Sequence, residues 1–113
     1  SGYTATVTAA RYRPTLSAFE DDGYLVADVT IVNRDDRAQS YNPFHWKLQT
    51  PGGQVVDVTF TTMPNQLGSG DLIQGGTVSG SVAWPVGAAK GAFAIIYKPD
   101  PFDAARGLWK VTL

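Results

Sequence analysis

The chain of 113 residues has no cysteine, one methionine (Met63) and one histidine (His45). Without cysteine, a disulfide scaffold, a thiolate zinc site and thiol catalysis are excluded together. A soft-metal site of the copper-carrier kind needs clustered Met and His, and one of each cannot supply it. Charge of one sign is missing too: nine Lys and Arg face ten Asp and Glu, a net −1 that gives no positive field for a nucleic acid. No apolar run approaches the roughly 18 to 20 residues of a membrane span. Glutamate is scarce as well, since Glu20 is the sole Glu and the other acids are Asp.

What is present fits one domain over residues 1–113. Twelve Gly and seven Pro, with Asp as the acid, favour turns over helices, so the composition reads all-β. Turn signals at 20–23, 34–37, 50–53, 63–65, 68–71, 75–76, 85–87 and 99–101 bound segments that alternate with period two. Tyr3, Ala5, Val7 and Ala9 share one face. Leu25, Ala27, Val29 and Ile31 oppose Asp28 and Thr30. Phe44, Trp46 and Leu48 alternate with His45, Lys47 and Gln49, and across the Pro51-Gly52-Gly53 turn Val56, Val58 and Phe60 complete a hairpin. Val78, Val82 and Trp84 face inward with Gly80 among them, which signals a bulge or a large neighbour packed over the glycine. Ala92 to Lys98 is apolar on both faces and reads as a central strand covered on each side, and Trp109, Val111 and Leu113 close the pattern. One short helix is expected near 101–106, capped by Asp100 with Pro101 at its first position.

About seven such strands predict an antiparallel immunoglobulin-like β-sandwich without a disulfide. Its core is expected to hold Trp46, Trp84 and Trp109 with Phe44, Phe60, Phe93 and Tyr97.

The order of landmarks resembles a bacterial extracytoplasmic, immunoglobulin-like family, the domain of unknown function 4352. Gly23 leads into Val26, Val29 and Val32-Asn33; Phe44-His45-Trp46-Lys47-Leu48 and Pro51-Gly52-Gly53 follow. Then come Leu72, Gly75-Gly76, Gly80-Ser81-Val82-Ala83-Trp84-Pro85, Tyr97 and Trp109. The resemblance covers residues 3 to 112 and implies an extracytoplasmic domain, secreted or lipid-anchored, with no catalytic site. It also implies that Ser1-Gly2 lies just inside the spacer after an anchor, the only route by which a membrane enters. A weaker likeness, by shape alone, is to secreted immunogenic antigens of actinobacteria.

Individual residues offer little chemistry. His45 is the sole candidate for a catalytic base, the serines lie in ordinary turns or strands, and no Gly-x-Ser-x-Gly elbow exists. The pairs Asp21-Asp22, Asp35-Asp36 and Asp100/Asp103 lack the spacing of an EF-hand loop and sit where turns or a helix cap are expected, with a calcium site as the alternative. Arg11 and Arg13 flank Tyr12 as a basic-aromatic cluster or a charge-guarded sheet edge. The best candidate ligand-binding residues are Tyr41, His45 and Lys47, which should point outward by alternation. The connection at 61–76 is long for a sandwich. These readings lead to a non-enzymatic binding or structural module without a cofactor or metal, whose partner is a protein or peptide. A carbohydrate- or cell-wall-binding module is the alternative, and a hydrolase using His45 or an Asp pair is a third reading.

Overall fold

The computed structural model describes residues 3–17, 22–61, 63–88, 90–98 and 107–113. Nine strands are seen among them: β1 (Tyr3–Arg13), β2 (Tyr24–Asn33), β3 (Gln39–Tyr41), β4 (Trp46–Gln49), β5 (Val55–Asp57), β6 (Gly70–Leu72), β7 (Thr77–Pro85), β8 (Ala92–Tyr97) and β9 (Gly107–Thr112). Seven of these are the segments with period-two alternation. β3 and β6 are additional strands of three residues each. The helix expected near 101–106 lies outside the described residues. No helix among the described residues is long and apolar enough to cross a membrane.

The strands form a three-stranded sheet in the order β1-β2-β7, a four-stranded sheet in the order β5-β4-β8-β9, and the small pair β3-β6, all antiparallel. The two larger sheets share one apolar core, to which β2 gives Leu25, Ala27, Val29 and Ile31, and β7 gives Val82 and Trp84. The opposite sheet adds Trp46, Leu48, Phe93, Ile95 and Tyr97. Alternation produces this because each strand turns every second side chain to the same side. Trp46 and Trp84 are wholly buried, while Trp109 is half-buried and stacks at a tilt on Trp46, with ring centroids 5.6 Å apart.

Two residues expected in the core are outside it. Phe44 is 42% exposed and Phe60 61% exposed. The reason for Phe44 is local: the Asn42 side chain caps the Phe44 N–H at 2.8 Å and Pro43 sits at the first helical position. Residues Pro43–His45 therefore wind into a 3-10 turn, and the strand begins at Trp46. Phe60 leaves the hairpin because Thr59 has changed sheets, its N–H donating to the Ala83 carbonyl at 2.8 Å. The two displaced rings meet edge to face at 5.2 Å.

The long connection has a structural task. After Thr59, Asn65 and Leu67 pair with both sides of Ser81, the Leu67 N–H donating to the Ser81 carbonyl and the Ser81 N–H to the Asn65 carbonyl, each at 2.8 Å. These bonds cover the outer edge of β7, which would otherwise invite pairing with another chain. Leu67 itself, 1% exposed, plugs the core beside Gly80.

The buried Asn33 organises the opposite end. Its amide nitrogen donates to the carbonyls of Arg37 (2.9 Å) and Leu72 (2.8 Å), and its side-chain oxygen accepts from the Asp35 N–H at 2.9 Å. One side chain thus ties β2, the following turn and β6 together.

Candidate functional site

The outer face of the four-stranded sheet is set by the pairing register. Asp57, Lys47, Ile96 and Leu108 form one row across β5, β4, β8 and β9, and Val55, Gln49, Ala94 and Lys110 form the next. Leu108 and Val55 are more than half exposed, and Ile96 and Ala94 are half-buried between them. The doubly apolar β8 is therefore interior in its sheet as the sequence predicts. Its outer side chains nevertheless remain part of an accessible strip.

Charge frames this strip. Lys47 pairs with Asp57 across the hairpin. Lys98, two residues beyond Ile96, extends the ladder by donating its N–H to the His45 carbonyl at 2.9 Å. Among the described residues of this face, three lysines (47, 98 and 110) thus stand against one aspartate, in a chain whose net charge is −1. The cationic excess is a property of this face.

His45 ends the strip. Its ring is half-buried and meets Tyr97 edge to face at 6.5 Å, and its Nδ1 is buried with no hydrogen-bond partner. Burial, with the Lys47 ammonium as the lesser cause, pushes its pKa below the ordinary value of 6.5. No carboxylate among the described residues bonds to this ring.

The three binding residues read from the sequence are not one cluster. Lys47 stands on the outer face and His45 at its end, but Tyr41 lies in β3, half-buried against the core, with its ring over Gly70. Alternation had no access to this separation, because the 3-10 turn between Tyr41 and Trp46 resets the side-chain phase. Leu108, Ile96 and Lys110 were missed as members of the face; only cross-strand register joins them to Lys47.

The other candidates resolve into local roles. Arg11 donates to the Asp28 carboxylate at 3.0 Å, and the Tyr12 hydroxyl to the Gly87 carbonyl at 2.9 Å. Asp35 closes its own turn, accepting from the Asp36 N–H at 2.8 Å and from Gln39 Nε2 at 2.7 Å. These bonds, that from the Asp36 N–H first, hold its carboxyl below the usual range. Asp21, Asp100 and Asp103 lie outside the described residues. Among the described residues, no three His, Asp or Glu side chains gather into a possible metal set.

Comparison with known proteins adds a family. The model of the domain of unknown function 4352 matches residues 3–107. The chain belongs to that family. The domain is similar in fold to the YjhA protein of Bacillus subtilis, with a TM-score of 0.72 and 20% identity over 99% of this chain and 91% of YjhA. It is also similar to YcdA of Bacillus subtilis subsp. subtilis strain 168, described as a "putative lipoprotein", with a TM-score of 0.80 and 14% identity. That match takes in 97% of this chain but 36% of YcdA, so the domain corresponds to one part of a longer protein there. No curated protein matches the sequence.

Proposed function

We propose that the domain is a non-enzymatic extracytoplasmic docking module, displayed on or released from a bacterial cell envelope. It holds an acidic, partly apolar protein segment over the outer face of the four-stranded sheet. The observation that carries this reading is the strip Val55, Ala94, Ile96 and Leu108 set among Lys47, Lys98 and Lys110. Apolar side chains supply the contact area, and the lysines select a partner of opposite charge and speed its approach. The likeness to YcdA and the family membership support the envelope location.

Selection from a random peptide library tests the reading. Binders should combine Asp or Glu with apolar residues, shift the amide resonances of β4, β8 and β9, and lose affinity for Leu108→Ser and Lys110→Glu. Peptides without an acidic bias, or shifts confined to the other sheet, would remove it.

The carbohydrate reading in its usual form needs a row of exposed aromatic rings for stacking. Trp46 and Trp84 are wholly buried, and the exposed rings of Phe44 and Phe60 meet edge to face rather than side by side in one plane, which counts against that form.

A further inference from the structure

On the outer face of the β1-β2-β7 sheet, Tyr24, Val26 and Ala83 are buried under Leu16 and Met63. Two rows further along, at Thr30 and Ser79, the cover ends. The step from the loop at Asn65 down to the bare sheet makes a notch of about 260 Å³, lined by Thr8, Asp28, Thr30, Asn65, Ser79 and Ser81. It lies on the sheet opposite to the docking face.

The polar groups of the notch are already ordered. Ser81 is wholly buried; its hydroxyl donates to Asp28 Oδ1 at 2.6 Å and accepts from Asn65 Nδ2 at 2.7 Å. Arg11 holds the other Asp28 oxygen, and the Thr8 hydroxyl donates to the Asp28 carbonyl at 3.2 Å. The Ser81 hydrogen bond first, and Arg11 after it, outweigh partial burial and keep the Asp28 carboxyl below the usual range. At neutral pH the site therefore presents a fixed carboxylate whose charge Arg11 balances.

Capacity remains unspent. Thr30 and Ser79 share one hydrogen bond at 2.9 Å, which uses one of their two hydroxyl hydrogens. Among the described residues, nothing bonds the second side-chain N–H or the side-chain oxygen of Asn65, and each Asp28 oxygen accepts one bond and keeps a lone pair. Acceptors and donors thus lie side by side in a small recess with no aromatic side chain among its described lining residues, beside the Arg11 that balances the Asp28 charge. Hydroxyl groups on neighbouring carbons, each both donor and acceptor, complement that pattern; a free ion does not.

We propose that this notch is a subsite for one ring of a neutral saccharide, held by its hydroxyl edge between Asp28, Asn65 and the Thr30–Ser79 pair. The site is independent of the docking face. A module carrying both would bridge a protein segment and a glycan.

The experiment is a resonance titration of the ¹⁵N-labelled domain with chitobiose, maltose and cellobiose, with glycerol and glucuronate as controls. At least one disaccharide should give saturable shifts at Thr8, Thr30, Asn65 and Ser79, with a dissociation constant on the order of 1 mM. Thr30→Val, which keeps shape and removes the hydroxyl at an accessible position, should weaken it about tenfold or more. Wild-type dispersion in the variant spectrum guards against misfolding. The proposal is overturned if no disaccharide saturates, if glycerol gives the same shifts, if glucuronate binds better than every neutral sugar, or if Thr30→Val binds equally well.

Discussion

The Leu67 backbone passes so close over Gly80 that a Cβ added there would lie 2.8 Å from Leu67 Cα and 3.0 Å from Leu67 N. Glycine is required here by a neighbour, and that neighbour is the segment covering the open edge of β7. Gly80→Ala must push the segment off the strand or bend the sheet, at a cost of about 1 to 3 kcal/mol. Gly53 provides the contrast: its φ is +88° and nothing lies within 4 Å of an added Cβ. Gly53→Ala should therefore cost roughly 1 to 2 kcal/mol through backbone strain alone. Denaturant unfolding measures both. Hydrogen exchange separates them, because only Gly80→Ala should speed exchange at the Leu67 and Ser81 amides.

Asn33→Ala removes two donors and an acceptor from a fully buried position, stranding the Leu72 carbonyl, the Arg37 carbonyl and the Asp35 N–H. A loss of about 2 to 3 kcal/mol is expected. Asn33→Asp should be no better, since a carboxylate cannot donate to the two carbonyls. A thermal midpoint within experimental error of the wild type for either variant would show that the hub does not hold β6 in place.

Alternation made most of the sandwich legible, because a half-buried strand writes its inward face as every second residue. It misplaced Phe44 and Phe60 where another signal took over: the Asn42-Pro43 cap for one, the change of sheets at Thr59 for the other. Gly80 stood out as a small residue in an apolar row, yet the loop backbone above it could not be read. The notch shows the same limit. Asp28 and Ser81 are visible as polar positions on facing strands, whereas Asn65 arrives from a loop whose path follows from the β7 edge it covers. On the outer face of the four-stranded sheet, β4, β8 and β9 each carry their part of the pattern. Only their register makes one surface of Lys47, Ile96 and Leu108.

If that surface is reserved for a partner, its charges should contribute little to folding. The Lys47–Asp57 pair is exposed, and Lys47→Ala should change stability by no more than about 1 kcal/mol. Lys110→Ala should be similarly mild, with salt having little effect on the unfolding free energy of either variant. Both should slow the association of an acidic peptide obtained by the library selection, with an effect that fades as salt rises. Destabilisation well beyond that limit would identify the lysines as structural.

His45 gives a pH dependence whose sign is fixed by its surroundings. Burial of the ring and the nearby Lys47 ammonium lower its folded-state pKa beneath the unfolded value of about 6.5. Between those two values the unfolded chain binds more protons than the folded one, so stability rises with pH across that window and falls as the solution is acidified below about 6.5. The Asp28 and Asp35 carboxyls, also lowered, act in a separate range. Their contribution is intact above about 3.9 and is lost as pH falls through their folded values. Unfolding free energies measured from pH 8 to pH 3 should thus decline in two steps. His45→Gln should abolish the upper step and leave the lower one. A wild-type profile flat between pH 7 and pH 5, or an upper step that survives in His45→Gln, would contradict the desolvated imidazole at the end of β8.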